Sequence, residues 1–405
     1  MKLLYDLYST QYGSFHGGKE YAYAVFIKLC QKLNKLNTID NLSALSVDII
    51  YNPNTHIDNF IINMCNQNNI NIQYCKNHSD ISNLLCNNKY NVFYSPLPYS
   101  FRDLIIPPET KFVYTIHGLR SYELPIDKDW IKYSKGNIIK KIIMFLMSNS
   151  LLIKNTIMNL KIKKFKELFN ITNNQTIITI SQHSKHSIEY FFPDVNTSNI
   201  KFLYSPLKKY DEITINETEY LSSLPASSGK YILLICGDIS AKGPYRACNV
   251  LYKLIKNHPK FPQDIKVILL GVKRIKTYKK IVKNNSRFIF KGYVSSEELE
   301  VLYKNAYLFL YPTFNEGFGI PPLEAMKYGT ICSISSNSSL TEIYKDSCLY
   351  FNPYDETEMS IRILQCFDEN IRKDLSEKIN IRFKQIREKQ EKDLDTLINI
   401  ISEGN

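Results

Sequence analysis

Short β-branched and aromatic runs alternate with longer helical patterns along most of the 405-residue chain, and this alternation limits the possible folds more than any other feature. Strands that alternate with helices usually form parallel sheets covered on both faces. The chain is too long for one ordinary α/β core and long enough for two. The predicted strands are Lys2–Leu7, Val47–Tyr51, Asn91–Ser95, Lys111–His117, Thr176–Ser181, Lys201–Tyr204, Tyr231–Cys236, Lys266–Leu270, Arg287–Phe290, Tyr307–Tyr311, Ile331–Ile334 and Cys348–Phe351.

The segment 206–230 has no clear period and carries two prolines, a Ser-Ser-Gly cluster and several acids, which are typical of a linker. We therefore predict an N-terminal Rossmann-like domain over 1–205 and a second one over 231–375. Helical patterns between the strands include Tyr21–Leu33, Pro244–Lys256, Ser296–Asn305 and Leu323–Lys327. The charged tail after Glu356 is helical by pattern, and we expect its last part, 376–405, to pack back on the N-terminal domain.

Composition favours a globular protein of a reducing compartment. The chain is 44% hydrophobic and 22% charged, with a net charge of +12. It has no Lys/Arg run or zinc-finger spacing, so we expect no nucleic-acid partner. Its nine cysteines include no C-x-x-C pair. Because it shows neither a signal-peptide pattern nor about 18 consecutive apolar residues, we expect a cytoplasmic location.

The most informative motif is the string Glu316-Gly-Phe-Gly-Ile-Pro-Pro-Leu-Glu324, which follows a predicted strand and precedes a helix. Ligands of open α/β sheets bind at that end of a strand. Gly317 and Gly319 allow close approach of the backbone, and the first helical turn offers amides to an anionic group. Glu316 can accept hydrogen bonds from sugar hydroxyls, and Glu324 can hold a ribose. Two glutamates at this spacing are common by chance, so the prediction of a ligand site depends on the whole string and not on the glutamates alone.

This string resembles the E-x7-E signature of the retaining GT-B glycosyltransferases of family 4. The continuation Ala325–Thr330 and the upstream stretch Gly292–Leu299 are also similar to that family. The resemblance is dense over 231–353 and thinner before residue 205. It implies an α/β fold of the GT-B type, with two doubly wound Rossmann-like domains and a cleft between them. The first domain would bind the acceptor and the second the nucleotide-sugar.

The resemblance also implies roles for residues of the second half. Glu316 would contact the donor sugar, and Glu324 would bind the ribose. The backbone amides of Phe318, Gly319 and Ile320 would contact the sugar and its phosphate. Gly292 and Tyr293 would lie by the base. Lys242, in the loop Cys236–Gly243, would neutralise the diphosphate leaving group. The family often carries a second basic residue in this loop. Arg246 is the candidate for that role, although it matches the family less clearly than Lys242 does.

In the first half, the loop that contains Gly17 and Gly18 resembles the family's glycine-rich loop near the donor phosphate. His117 ends a predicted strand, where the family has a histidine that faces the donor sugar. Gly118 departs from the family, which commonly has an aspartate there. The segment Ser181–Lys185 is similar to an interdomain segment of the family, and we interpret it as a helix start.

Metal chemistry is not expected from this sequence. Asp127-Lys128-Asp129 spells a D-x-D, but it does not follow a strand, so we interpret it as solvated surface. His183 and His186 have no evident third ligand. The stretch 132–166 is basic and amphipathic. It either rests on anionic lipid or packs on its own sheet with its lysines outward, and the sequence leaves both open.

The predicted activity is transfer of a hexose from a nucleotide-sugar, with retention and without metal. The pattern is similar to that of bacterial O-antigen and capsule mannosyltransferases, which favours GDP-mannose as donor. The acceptor would be a saccharide. By analogy with these transferases, we expect it to be linked to a lipid diphosphate at the inner face of the membrane. Three alternatives remain: a UDP- or dTDP-sugar transferase, a phosphorylase or sucrose-type synthase of the same fold, and a non-catalytic basic α/β binding protein.

Overall fold

A computed structural model describes residues 1–11, 16–38, 45–56, 58–124, 131, 137–207, 215–223, 230–237 and 239–403. The strands are β1 (Lys2–Asp6), β2 (Ser46–Tyr51), β3 (Asn71–Tyr74), β4 (Val92–Ser95), β5 (Lys111–Ile116), β6 (Gln175–Thr179), β7 (Ile200–Phe202), β8 (Tyr231–Ile235), β9 (Lys266–Leu270), β10 (Phe288–Phe290), β11 (Leu308–Tyr311), β12 (Cys332–Ser335) and β13 (Leu349–Phe351).

The α-helices lie mostly between successive strands. They are α1 (His16–Thr38), α2 (Asn59–Gln67), α3 (His78–Asn88), α4 (Arg120–Glu123), α5 (Ile138–Asn149), α6 (Leu151–Phe169), α7 (Gln182–Phe191), α8 (Glu217–Ser223), α9 (Pro244–Asn257), α10 (Ile275–Ile281), α11 (Ser296–Asn305), α12 (Ile320–Met326), α13 (Leu340–Tyr344), α14 (Glu356–Gln365) and α15 (Glu369–Glu403).

The strands form two separate sheets in which every pairing is parallel. The first has the order β3-β2-β1-β4-β5-β6-β7, and the second the order β10-β9-β8-β11-β12-β13. In both, the chain runs outward from the first strand on one side and then returns to build the other side. Each sheet therefore has a topological switch point, between β1 and β4 and between β8 and β11, where such sheets bind ligands.

The chain divides into two compact units. The first consists of Met1–Tyr122, Asn155–Lys209 and Arg387–Asn405, and the second of Glu123–Lys154 and Tyr210–Ile386. The first unit is built around apolar strand residues such as Phe93 and Phe112, whose rings stack 5.2 Å apart between centroids. In the second unit the central strands β8 and β11 are buried over nearly their whole length, as expected for a parallel sheet covered on both faces.

The end of α15 packs within the first unit. The Nζ atom of Lys32, on α1, lies 2.8 Å from the Oδ1 atom of Asn399 and 2.7 Å from the Oγ atom of Ser402. Below these polar contacts, Leu397 and Ile401 are buried. Apolar burial along one face of the helix accounts for most of this docking, since exposed ion pairs add little.

The structure adds detail that the sequence pattern did not give. Strand β3, at the edge of the first sheet, was not predicted. Helix α12 begins at Ile320, three residues before the predicted start at Leu323. The tail forms two helices rather than one, because Asp368 accepts a hydrogen bond from the amide of Asn370 and caps a new helix. Ser181 caps α7 through the amide of Ser184, so the predicted helix start is confirmed.

Several sequence-based predictions fall partly or wholly outside the described residues. Asp127-Lys128-Asp129 is outside them, and so is most of the linker 206–230. Across the described ranges, no helix combines the length and apolar character needed to span a membrane. All nine cysteines are free thiols, and all but Cys86 are buried.

Candidate functional site

Two loops of the second unit meet beside the switch point of its sheet. One follows β8 and carries Lys242, and the other follows β11 and carries Glu316. Because β8 and β11 are neighbours in a parallel sheet, both loops leave from the same edge. The sequence places polar residues on both loops, and the topology brings them together.

The two loops are held in contact by their backbones. The amide of Phe314 donates to the carbonyl of Ala241 at 2.7 Å, and the Oγ1 atom of Thr313 lies 3.1 Å from the same carbonyl oxygen. Gly243 has φ +67°, and a Cβ atom there would overlap the carbonyl oxygen of Pro312. Glycine is therefore required at this crossing, both for its conformation and for the close approach.

Lys242 and Glu316 form an ion pair at the centre of the site. The Nζ atom of Lys242 lies 2.6 Å from Oε1 of Glu316 and 2.5 Å from the hydroxyl oxygen of Tyr311. The hydroxyls of Tyr311 and Thr313 each donate to the same Oε1 atom at 2.8 Å. One carboxylate oxygen thus accepts from an ammonium group and two hydroxyls, which fixes the position of the glutamate side chain.

The pair is shielded from solvent, although not fully. The side chain of Glu316 is 9% exposed and that of Lys242 is 16% exposed. Such partial burial strengthens the electrostatic attraction relative to a surface pair and still leaves access for a ligand. The backbone of Glu316 is also fixed, because its amide donates to Ser338 Oγ at 2.8 Å and its carbonyl accepts from Ser339 Oγ at 3.0 Å.

Gly319 caps α12 in the left-handed conformation, with φ +88°. A side chain at this position would overlap Leu340, and the carbonyl of Gly319 accepts a hydrogen bond from the buried hydroxyl of Tyr344. Phe318 is buried, whereas Gly317 and Ile320 are partly exposed. The motif is therefore a rigid turn whose backbone amides precede the helix.

Glu324 lies on α12, just over one helical turn after its start, and is half-buried. Its Oε2 atom accepts a hydrogen bond of 2.8 Å from the hydroxyl of the buried Tyr303. Tyr303 in turn packs edge-on against Phe309 of β11. This support orients the carboxylate, which is an acceptor for vicinal hydroxyls.

Arg246 makes different contacts from those of Lys242. Its guanidinium donates to the carbonyl of Pro353 at 2.8 Å and lies over the rings of Phe314 and Tyr354, 5.2 Å and 5.6 Å from their centroids. The two rings stack on each other at 4.8 Å. Arg246 thus braces the loop that contains Phe314, and its role as a second phosphate ligand stays a prediction.

Gly292 and Tyr293 follow β10. The carbonyl of Gly292 accepts from the amide of Gly271 at 2.9 Å. Gly237 follows β8, and a Cβ atom added to Gly271 would approach the Cα atom of Gly237 to 2.7 Å. The side chain of Tyr293 is 86% exposed. A mostly exposed aromatic ring at this edge of the sheet is suited to stacking on a planar ligand.

The first unit holds the remaining predicted residues. The Nε2 atom of His117 lies 2.9 Å from the carbonyl oxygen of Pro96, and its ring packs edge-on against Tyr21. Burial lowers the pKa of His117 to about 4, so the ring is neutral near pH 7. Because a carbonyl only accepts, Nε2 carries the proton and Nδ1 is the acceptor nitrogen.

Gly17 and Gly18 lie in the first turn of α1. A Cβ atom at Gly18 would approach Leu97 to 2.7 Å, whereas Gly17 is exposed and has no atom within 4 Å of such a position. His117 and Gly18 therefore pack against consecutive residues, Pro96 and Leu97, that follow β4. The rest of the predicted glycine-rich loop, Tyr12–Phe15, is outside the described residues.

Sequence reasoning missed several polar residues of these sites. Tyr311 was predicted only as the last residue of a strand, and Thr313, Ser338 and Ser339 were not predicted as site residues. In the first unit, Asp6 is buried at the end of β1 and accepts from Ser95 Oγ at 2.6 Å. Burial raises the pKa of Asp6 to about 6. A carboxylate at the end of a central strand is a signal that the sequence did contain.

No group of three or more His, Cys, Asp or Glu side chains is placed to hold a metal ion within the described part of the chain. His186 instead lies 4.0 Å from Glu189 on the same helix. The chemistry that these residues offer is electrostatic and hydrogen-bonding: an ammonium group, two carboxylates and helix-end amides around one sheet edge.

Residues 216–382 match the family described as "Glycosyl transferases group 1". The O-antigen chain mannosyltransferase RfbU of Salmonella typhimurium is 28% identical over 185 residues, which cover 44% of this chain and 47% of RfbU. The O-antigen chain mannosyltransferase B of Escherichia coli is 42% identical over 81 residues, or 20% of this chain and 21% of that protein. The alignments thus span less than half the length of these curated relatives.

Solved structures resemble the chain over its whole length. HepE of Anabaena, crystallised in complex with UDP-glucose, aligns with a TM-score of 0.63 at 13% identity and covers 100% of this chain and 99% of its own. A glycosyltransferase of Rickettsia africae aligns with a TM-score of 0.61 at 14% identity, and the alignment covers 99% of this chain and 98% of that protein. The predicted α/β fold class, GT-B with two doubly wound sheets, is confirmed. The family match covers residues 216–382, which contain Lys242 and the string from Glu316 to Glu324.

Proposed function

We propose that the protein is a retaining hexosyltransferase that uses GDP-mannose and extends a saccharide of a bacterial surface polysaccharide. The contact between Lys242 and Glu316 supports this proposal, because an ammonium group and a carboxylate lie 2.6 Å apart beside the switch point. The named activities of RfbU and of mannosyltransferase B favour mannose as the sugar and an O-antigen chain as the product.

Donor binding follows from the chemistry of the individual groups. Glu324, oriented by Tyr303, accepts hydrogen bonds from the ribose hydroxyls. Tyr293 stacks on the base, and the amides of Phe318, Gly319 and Ile320 face the sugar and its phosphate. When the donor enters, Lys242 exchanges its contact with Glu316 for the diphosphate, and the freed Oε1 atom accepts from a sugar hydroxyl. The ion pair is thus replaced by two charge-assisted contacts to the donor.

Transfer then occurs on one face of the sugar. The bond between the anomeric carbon and the phosphate oxygen breaks, and its electron pair stays on the diphosphate, where Lys242 stabilises the charge. The acceptor hydroxyl attacks the same face, forms the new glycosidic bond and passes its proton to the leaving phosphate oxygen. The anomeric configuration is retained. Glu316 holds the sugar and does not act as a nucleophile, unlike the carboxylates of retaining glycosidases. The scheme requires no metal ion.

His117 and the segment of Gly17 and Gly18 complete the proposed machinery in the first unit. The neutral ring offers Nδ1 as an acceptor for an outer hydroxyl of the donor sugar. The acceptor is a saccharide, and we propose that it is linked to a lipid diphosphate at the cytoplasmic face of the membrane. Arg246 is proposed as a second group near the phosphates, with its stacking on Phe314 as the supporting contact.

A donor panel tests the proposal. Purified protein is incubated with GDP-mannose, UDP-glucose and a dTDP-sugar, and release of the nucleoside diphosphate is measured with and without saccharide acceptors. We expect fastest release with GDP-mannose, and GDP should raise the melting temperature, as a ligand of the native state does. Preference for UDP or dTDP would contradict the GDP assignment. Neither release nor stabilisation by any nucleotide would favour a non-catalytic binding protein.

A further inference from the structure

Helix α5 exposes apolar side chains along most of its length. Six of its large aliphatic or aromatic residues are between 49% and 75% exposed. They are Ile138, Ile139, Ile142, Ile143, Phe145 and Leu146. The exposure continues at Leu152 and Ile153, just after the helix. We call this set, from Ile138 to Ile153, the apolar surface of α5.

This surface is unlike the rest of the described exterior. Other exposed large apolar side chains, such as Phe60, Ile105 and Ile361, are scattered along the chain. Single exposed residues of this kind are normal in globular proteins and need no explanation. A contiguous apolar set is costly to leave in water and usually marks an interaction surface.

The charge of the surrounding chain indicates the partner. Residues 130–166 contain nine lysines and no aspartate or glutamate, and Lys140 is an exposed member on α5 itself. A second copy of α5 would bring lysines against lysines and would be repelled. An anionic bilayer instead accepts both the apolar side chains and the positive charge.

The length of the helix decides how it would lie. Its 12 residues extend roughly 18 Å at a rise of about 1.5 Å per residue, well short of a hydrocarbon core of about 30 Å. We propose that α5 lies in the plane of an anionic phospholipid bilayer and inserts its apolar side chains below the headgroups. The sequence left open whether the stretch 132–166 rests on lipid or packs on its own sheet, whereas the exposed isoleucines of α5 favour hydrophobic insertion.

This inference deepens the proposed function and rests on it for the identity of the lipid-linked acceptor. Binding itself can be measured without any transfer. The full chain is floated with vesicles of phosphatidylethanolamine that contain about 30% phosphatidylglycerol, at low salt and at about 0.5 M salt. The variant Ile142→Ser/Leu146→Ser removes part of the apolar surface. The matched control Ile361→Ser/Ile381→Ser removes two scattered residues that are 49% and 60% exposed.

We expect wild type and control to float with the vesicles and to keep most of this binding in high salt. The α5 variant should bind at least about tenfold more weakly, because two aliphatic groups no longer leave water. Its melting temperature and its stabilisation by GDP should equal those of wild type, which separates this result from a failure of the proposed function. Equal binding by the α5 variant, loss of all wild-type binding in salt, or a dimer that the variant dissociates would overturn the proposal.

Discussion

The hydroxyl of Tyr311 lies between the two charged groups of the candidate site, 2.5 Å from Nζ of Lys242 and 2.8 Å from Oε1 of Glu316. Tyr311 is the last residue of β11 and is fully buried. The rigid centre of the sheet therefore positions both charges through one hydroxyl group. This relationship links the core of the second unit to its chemistry.

Tyr311→Phe should lower transfer by about tenfold or more, because Lys242 and Glu316 lose a shared hydrogen-bond partner. Steady-state kinetics with the donor give the measurement. Tyr231→Phe is the matched control, since its buried hydroxyl donates at 2.8 Å to the carbonyl of Leu302, apart from the ion pair. Both variants should lose similar stability, of about 1 kcal/mol. If they also lose activity equally, Tyr311 has only a structural role.

Gly243→Ala should destabilise the protein by about 2 kcal/mol or more, because a Cβ atom would overlap the carbonyl of Pro312 and the backbone has φ +67°. Denaturant unfolding followed by circular dichroism measures the change. Gly292→Ala is the control, since no atom lies within 4 Å of its added Cβ atom, and we expect a change within about 0.5 kcal/mol. Similar losses in both variants would contradict the tight crossing of the two loops.

His117 should make stability depend on pH. Its pKa is lowered from 6.5 to about 4 by burial, so the folded state binds fewer protons than the unfolded state between these values. Stability is then fully retained above pH 6.5 and falls as the pH decreases towards 4, by up to about 3 kcal/mol. His117→Gln keeps a donor for the carbonyl of Pro96 and removes the titration.

The measurement is the free energy of unfolding of wild type and His117→Gln at pH values from about 4 to 7. The difference between the two proteins cancels other groups, including Asp6, whose raised pKa acts in the opposite direction. We expect wild type to lose more stability than the variant as the pH falls. Parallel curves would show that His117 is protonated equally in both states.

Docking of α15 should depend on its apolar face. Ile401→Ala removes a fully buried side chain and should cost about 2–4 kcal/mol. Lys32→Met breaks an ion pair of 2.8 Å with the half-exposed Glu403 and should cost less than about 1 kcal/mol. Chemical denaturation of the two variants compares these values. A larger loss for Lys32→Met would mean that polar contacts dominate.

Most of the sheet architecture was predictable, because buried parallel strands are continuous apolar runs. Strand β3 escaped detection because Asn71–Tyr74 is half polar and only partly buried, as an edge strand can be. The break before α15 escaped because a single capping aspartate, Asp368, interrupts an otherwise helical pattern. Strand β3 and the break before α15 were both missed because they depend on where the segment lies in the fold and not on the hydrophobic periodicity of its sequence.

The site residues that belong to a local sequence motif could be predicted. The contacts that residues distant in sequence make with them could not. Glu316 and Glu324 belong to one string of residues. Arg246 was predicted as a possible phosphate ligand, but its observed partner, the carbonyl of Pro353, is 107 positions away and has no local signal. The hydroxyl of Tyr311 reaches the ion pair only because β8 and β11 are neighbours in the sheet.

The most direct test of the central claim compares transfer from GDP-mannose by wild type, Lys242→Met and Lys253→Met. Lys253 is an exposed lysine that pairs with Glu356 at 2.6 Å, so both variants lose one positive charge but only Lys242→Met loses it at the site. We predict that Lys242→Met lowers kcat by roughly 10²–10³, as expected when charge stabilisation of a leaving group is removed. Lys253→Met should match wild type. Equal rates for Lys242→Met and Lys253→Met would contradict the account.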